Sequence, residues 1–405
     1  MAIRDTVLMF LALLLLAVLI QPLARQLRFP FSALLVAVGF IGSEVITRLG
    51  IDTGLRWHHF HDLVFFVFLP ALIFEAAYRL DLRLLQANLG AVLMLAIPVT
   101  VLTTGISAVL IYVGIDHPAG FPWIAALLTA ALLAATDPVA VIDLFRDVGA
   151  PKRLNLLVDG ESLFNDATAI VLFTLLLGIA TSGNAIDPGN AVVEFIRIFF
   201  GGALMGAAVG LIAISLLRLI RGVPIHGVIS LIAAYTAFVV AEGLFHVSGV
   251  IAVLATGMLV GHASRLHAVE RERYFLNELW EFIAYMANAM MFLLMGFTIT
   301  LAMFTTHWLA MLVGIAAVLI ARAAGIFGTA PFLSLLPGIA PIPSQYQVVM
   351  VWGGLRGAVA VALALSLPVE LEYWYAIQSI TYGVVLFTLF VQAPSMPMLL
   401  SRKPG

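Results

Sequence analysis

Runs of about twenty apolar residues follow one another along almost the whole chain, and this pattern restricts it to a bundle of membrane-spanning helices. In hydrocarbon every backbone polar group needs an internal partner, and an apolar helix of about 20 residues supplies one while crossing a core of roughly 30 Å. Thirteen such runs lie near 6–24, 30–47, 60–79, 89–113, 121–145, 155–180, 191–219, 226–245, 248–263, 274–302, 307–336, 344–367 and 375–400. Only His246 and Val247 separate the eighth from the ninth. Charged residues are 10% of the 405 positions, against about 25% in soluble domains. The expectation is a single all-α polytopic transmembrane domain, 1–405, with connections too short to fold alone. The first run has no basic leader and no small-residue cleavage site, so it reads as a retained helix. A net charge of −2 gives no basis for a nucleic-acid partner, and the absence of cysteine excludes disulfides and thiolate metal sites.

Basic residues test the count, because cytoplasmic connections are enriched in Lys and Arg. Fourteen of the twenty fall in alternate connections beginning after the first span, among them Arg25, Arg79, Arg146, Arg218, Arg265 and Lys403. Arg4, Arg48 and Arg56 fall on the other side, and Arg197, Arg322 and Arg356 fall within spans. This asymmetry places the N-terminus outside and the C-terminus in the cytoplasm, with the lipid bilayer as an obligatory partner.

The first six spans start outside and the last six start inside, so the halves have inverted topology, a common plan for secondary transporters. The repeats are expected near 6–180 and 226–400, with a linker helix near 191–219. The same plan directs attention to interrupted helices at matching positions. Span five contains Ala135-Thr136-Asp137-Pro138, and span twelve contains Gly353-Gly354-Leu355-Arg356-Gly357. Pro138 lacks an N–H and disfavours helix at Asp137, while the glycines loosen span twelve. Each break exposes half-helix ends with partial charge. Asp137 can then cap a positive end of the inner half-helix, and Arg356 can offset a negative one.

Span six begins with Gly160-Glu161-Ser162-Leu163-Phe164-Asn165-Asp166 and continues as an apolar run to Ala180. A charge at bilayer depth costs about 2.5–3.5 kcal/mol on insertion scales. Counting from Asn155, Asp166 lies about 16 Å along the span, near mid-membrane, and Thr136 and Arg356 reach about 20 Å along theirs. Ser162 and Asp166 share a helical face, Glu161 and Asn165 share a neighbouring one, and Glu161 stands about 140° from Asp166. Asp166 and Ser162 are therefore expected to face a small ion. Glu161 is expected to pair with a buried base, Arg322 or Arg356, because an unpaired buried charge is very costly. Oxygen ligands suit a hard cation such as Na⁺; Asp166, Glu75, Ser162 and a carbonyl freed at Thr136 would supply them. A buried carboxylate holds a proton or a cation but hardly both, and that competition makes an obligatory exchanger.

At these residues the chain resembles the electroneutral sodium–proton exchangers of the monovalent cation/proton antiporter superfamily. The matching strings are Ala135-Thr136-Asp137-Pro138, Gly160-Glu161-Ser162 with Asn165-Asp166, Trp280-Glu281-Phe282, and Gly353-Gly354-Leu355-Arg356-Gly357. The resemblance implies homodimers built from a dimerisation domain and a mobile six-helix core that moves like an elevator. It implies exchange of Na⁺ or Li⁺ for H⁺, no enzyme activity and no cofactor beyond the transported ions. Asp166 would be the exchanging carboxylate, with Thr136, Ser162 and Glu75 as further cation ligands. Asn165 stands where electrogenic relatives carry a second Asp, which implies one-for-one exchange. Glu161 resembles the family's ion-pair acid, with Arg322 before Arg356 as its base. Only Ser401 to Gly405 follow the last span, so regulation through a cytoplasmic tail is not expected.

Other features carry less. Trp57-His58-His59-Phe60-His61 could bind a transition metal, and His262 and His267 could titrate near neutrality. Glu242 and Arg197 are intramembrane charges without an evident partner, and Gly201, Gly202, Gly206 and Gly210 have the spacing of close helix packing. K⁺/H⁺ exchange is the first alternative, since Na⁺, Li⁺ and K⁺ all take oxygen ligands. A cation channel or a sensor on the same scaffold comes next. An intramembrane protease would leave Asn165, Arg356 and the inverted plan without a purpose.

Overall fold

The computed structural model describes residues 3–27, 29–48, 63–115, 121–137, 141–142, 145, 152–182, 188–333 and 342–400, and these carry a helix at each of the thirteen apolar runs. Spans one to three are α1 (Ile3–Leu27), α2 (Phe31–Arg48) and α3 (Leu69–Arg79). Span four is α4 (Leu82–Gly114), which passes Pro98 by widening into a π-helical turn at Leu95–Val99. The widening accommodates a ring that would otherwise clash with the preceding turn. α5 (Trp123–Leu132) is the first half of span five. Then follow α6 (Lys152–Ser182), α7 (Pro188–Leu219), α8 (Val223–Gly243), α9 (Gly249–His267), α10 (Glu270–Thr298) and α11 (Leu301–Leu333). Span twelve is divided into α12 (Ser344–Trp352) and α13 (Ala358–Leu365). α14 (Trp374–Phe387) continues through a π-helical turn (Thr388–Gln392) to Leu400. Among the described residues nine helices are long and apolar enough to cross a membrane, and the other spans are shorter or interrupted. Pro138, Trp57, His58, His59, His61 and Ser401 to Gly405 lie outside the described residues.

The helices sort into two bundles by contact. α2 packs on α10, α3 on α9 and α10, and α8 on α9, so spans one to three join spans eight to ten. α11 packs on α4 and α14, α5 on α4 and α6, and α13 on α14, so spans four to six join spans eleven to thirteen. α7 lies along α8 and α9 and also touches α6, which ties the bundles together.

Local chemistry explains the joints. The eighth and ninth spans part at a tight turn where His246 takes a φ of 50°, a left-handed conformation in which His is enriched over most residues. Ser248 Oγ accepts from the Ile251 N–H at 3.2 Å and Glu242 Oε2 accepts from the Gly249 N–H at 2.9 Å, so both cap α9. Glu242 thereby sits at a positive helix end. Arg197 donates to Glu194 Oε2 at 2.9 Å and to the His246 carbonyl at 3.5 Å. His226 places Nε2 3.0 Å from the Ile220 carbonyl and Nδ1 3.5 Å from Glu272 Oε2, joining the ends of α7, α8 and α10. Trp280 is fully buried, donates to Ser230 Oγ at 3.1 Å and lies over Phe74 with ring centres 4.1 Å apart.

The glycine series of α7 is consumed within the chain. A Cβ at Gly201, Gly202 or Gly206 would collide with Val247, Ser248 or Ala252 respectively, the last two through backbone carbonyls. Thr256 Oγ1 reinforces the contact by donating to the Gly206 carbonyl at 2.9 Å. Forcing a side chain into such a contact costs about 1–3 kcal/mol or more. Gly206→Val is therefore expected to lower the thermal midpoint in detergent by several degrees, and Gly178→Val, at a position open to 4 Å, to leave it nearly unchanged.

Candidate functional site

The chain leaves the helix after Leu132 and runs without helical structure through Ala135 to Asp137. That leaves the three polar groups of Thr136 without helical partners, and α6 meets all three. The Thr136 N–H donates to Asp166 Oδ1 at 3.1 Å. Asn165 Nδ2 donates to Thr136 Oγ1 at 3.0 Å, and Ser162 Oγ donates to the Thr136 carbonyl. Asp166, Asn165, Ser162 and Thr136 thus form one cluster. Ser162 and Asp166 act on a common face, as their spacing predicts. Asn165 sides with them rather than with Glu161, its neighbour four residues back. Its Oδ1 is buried and has no hydrogen-bond partner.

Glu161 points to Arg322 and makes a buried salt bridge with Nη1. The residues are 1% and 7% exposed, so neither charge could be left alone. Arg322 also donates from Nε at 3.3 Å and from Nη2 at 3.2 Å to the Met350 carbonyl, in the last turn of α12. It therefore neutralises an acid and covers a helix end whose carbonyls lack intrahelical donors. Of the two bases that the sequence offered Glu161, Arg322 is the one in hydrogen-bonding contact.

Arg356 serves the other break. Its Nη1 donates to the carbonyls of Ala134 at 2.9 Å and Ala135 at 3.0 Å, just beyond α5. Asp137 reciprocates across the crossing: its N–H donates to the Leu355 carbonyl at 2.8 Å. Its carboxylate lies against Gly357, so closely that any side chain at 357 would collide with it. Gly357 is the residue before α13, so Asp137 meets the positive end of α13. The expectation that Asp137 and Arg356 offset half-helix ends is met in exchanged form: each serves the end belonging to the partner break.

Thr388 and Gln392 complete the second break, and sequence reasoning passed over both. Thr388 Oγ1 accepts from the Arg356 N–H at 3.3 Å and lies 3.1 Å from the Arg356 carbonyl. Gln392 Nε2 donates to the Trp352 carbonyl at 3.2 Å. They bound the π-helical turn of α14, and the only signal for them was two polar residues in an apolar run. α14 thus closes the break in span twelve as α6 closes the break in span five.

Glu75 is half-buried on α3 and pairs with Arg79 Nε at 2.5 Å, one helical turn on. Arg79 Nη2 reaches Glu281 Oε2 at 2.8 Å. The arrangement gathers Asp137, Glu161, Asp166, Arg322 and Arg356 where two broken helices cross, and Asp166 feels the charges of Asp137, Arg356 and Glu161. It offers carboxylate, hydroxyl, amide and carbonyl oxygens to a small cation.

Known proteins share this sequence and architecture. The family described as sodium/hydrogen exchanger, transmembrane, matches residues 11–402. The low-affinity Na⁺/H⁺ antiporter NhaS1 of Synechocystis is 38% identical over 92% of this chain and 68% of its own length. The Na⁺/H⁺ antiporter ApNhaP of Aphanothece halophytica is 38% identical over 92% of this chain and 69% of its own. The sodium proton antiporter MjNhaP1 of Methanocaldococcus jannaschii, solved at pH 8, superposes with a TM-score of 0.82 at 20% identity, over 97% of this chain and all of that one. The fold is therefore that of MjNhaP1, and the chain belongs to the sodium/hydrogen exchanger family.

Proposed function

We propose that the protein exchanges Na⁺, or Li⁺, for H⁺ one for one, with cation and proton competing for Asp166. The observation that carries this reading is the charge at the crossing. Three carboxylates, Asp137, Glu161 and Asp166, face two guanidiniums, Arg322 and Arg356. With Asn165 neutral, the group lacks a single positive charge, which one monovalent cation or one proton supplies. Either occupant leaves the site neutral, and a neutral site crosses hydrocarbon far more cheaply than a charged one.

Asp137 and the two arginines are committed to helix ends and to Glu161, which leaves Asp166 as the exchanging group. Ser162 Oγ, the Thr136 carbonyl and Asn165 Oδ1 are the nearest further oxygens. Glu75 joins as a ligand while still paired with Arg79 at 2.5 Å, so the charge count is unchanged. Alternating access is by displacement of the bundle holding both breaks against the other bundle, with α7 as the tether. The assembly as a homodimer rests on family likeness, and the outside N-terminus and cytoplasmic C-terminus rest on the distribution of Lys and Arg. No cofactor and no covalent chemistry belong to the cycle.

The test is the purified protein in liposomes carrying a pH dye, with Na⁺, Li⁺ or K⁺ added and the membrane potential either free or clamped by valinomycin. Na⁺- or Li⁺-driven proton movement that ignores the clamp is expected. A response confined to K⁺ would keep the mechanism and change the substrate. Current that follows the potential would replace exchange with a channel.

A further inference from the structure

Two short links join the bundles at matching places in the inverted halves. Leu80 and Asp81 connect α3 to α4, and Ile299 and Thr300 connect α10 to α11. Leu80 takes φ −62° and ψ 130°, Ile299 takes φ −69° and ψ 133°, and both are buried. By the basic-residue asymmetry the first link is cytoplasmic and the second faces outside. Two residues reach at most about 7 Å, so the bundles stay tied at these points and relative movement turns about them. The two links are held differently. Arg265 of α9 donates to the Tyr78 carbonyl at 2.9 Å and to the Leu80 carbonyl at 2.5 Å, and α9 and α3 belong to one bundle. The outer link is held across the seam. Thr298 Oγ1 lies 2.8 Å from the hydroxyl of the fully buried Tyr382, and Thr300 Oγ1 lies 2.8 Å from that of Tyr375, both on α14 of the other bundle. Thr298 donates its one proton to the Met295 carbonyl at 2.8 Å, so Tyr382 is the donor to Thr298. Ile299 also borders an apolar cleft of about 420 Å³, lined by Phe40, Phe304, Leu386 and Phe390 among others. Close packing therefore does not pin the link on that side.

We propose that Tyr375 and Tyr382 latch the outer link and so hold the exchanger closed to the outside. The proposal rests on the exchange reading above and names two positioning residues for it, which act on the placement of a bundle rather than on the ion. Asp166 meets the outside only when the bundles part along the outer seam, and α14 then carries Tyr382 away from Thr298. The grip of Arg265 on the cytoplasmic link lies within one bundle and survives that movement. Breaking the latch therefore favours the state open to the outside and leaves the cytoplasmic link as it is. α14 also closes the break in span twelve through Thr388 and Gln392, so latch and site ride on one helix.

The experiment measures Na⁺-dependent proton movement in right-side-out vesicles, which present the outer link to the medium, and in everted vesicles. One neutral hydrogen bond lost from one of two states shifts their ratio about 2- to 12-fold. While the outward state is the minor one, apparent affinity on that side follows its population. Tyr382→Phe keeps the ring and loses the hydroxyl. It is expected to lower half-saturating Na⁺ by about 2- to 12-fold in right-side-out vesicles, and to change it less in everted ones. Thr298→Val should shift it in the same sense, and the double variant no further than the larger single, because the two residues share one bond. Ile299→Cys places a buried thiol in a chain without cysteine. It should react with a membrane-impermeant maleimide faster by a similar factor when Tyr382→Phe is added. Unmoved half-saturation in right-side-out vesicles, or an unchanged maleimide rate, would overturn the proposal. So would an equal shift in both orientations, or a fall in maximal rate alone, which marks a packing role. Wild-type vesicles that move no protons on adding Na⁺ would remove the exchange reading itself, whereas the maleimide rate tests the latch without it.

Discussion

Asp166→Asn is expected to reduce cation-driven proton movement in liposomes to the level of protein-free vesicles, a loss of at least about 100-fold, while the protein still folds. The geometry separates the two outcomes. Asn has nearly the size of Asp, and its Oδ1 can keep accepting the Thr136 N–H that now reaches Asp166 at 3.1 Å. The hydrogen bonds of Ser162 and Asn165 to Thr136 do not involve the substituted atoms. What disappears is the negative charge, the one property that a proton and a metal cation compete for. The size-exclusion profile and melting midpoint should match wild type. Exchange that persists in the variant would place the carrying group elsewhere and sink the charge argument.

Removing Arg322 is expected to be the most damaging change to stability. Breaking a buried ion pair by deleting one partner costs about 3–5 kcal/mol, because the other charge stays buried. Arg322→Gln strands Glu161 and also strips the Met350 carbonyl of the Nε and Nη2 bonds that cover the end of α12. Glu161→Gln leaves those bonds in place, so Arg322→Gln should give the lower melting midpoint in detergent. The double variant Glu161→Gln with Arg322→Gln should melt above Arg322→Gln alone, because no bare carboxylate remains. A double variant with the summed loss of the two singles would mean that the pair is not a unit.

The spans were legible because run length and helix rise decide them almost without reference to tertiary structure, and the breaks because proline and clustered glycine are local signals. The site was legible because charge in hydrocarbon is costly enough to demand a reason. Helical spacing, however, describes directions on one helix and not what stands opposite. Asn165 shares a face with Glu161 by count, yet the freed Thr136 hydroxyl draws it toward Asp166. Depth alone could not choose between Arg322 and Arg356; the choice depends on which carbonyl each guanidinium must also cover. The exchange of partners between the breaks was hidden for the same reason, since each break taken alone suggests that its own charge serves its own end. The pair of Glu75 with Arg79 lies one helical turn apart, a spacing that favours pairing within one helix, whereas a count of basic residues by connection registers Arg79 only as a mark of the cytoplasmic side.

The joints at the crossing also set an order of assembly. Glu161 is separated from Arg322 by 161 positions, and Ala134 from Arg356 by 222. At translation rates of about 5–20 residues per second, roughly 8–32 s pass between the emergence of Glu161 and that of its counter-ion. During that interval the nascent first half holds its acids with neither guanidinium yet made. The half-built transporter must keep those carboxylates protonated, near water, or sheltered by the insertion machinery. The site is thus sealed by the C-terminal half, and a ribosome that stalls before Arg322 leaves in the bilayer a fragment in which Glu161 lacks the guanidinium that neutralises it.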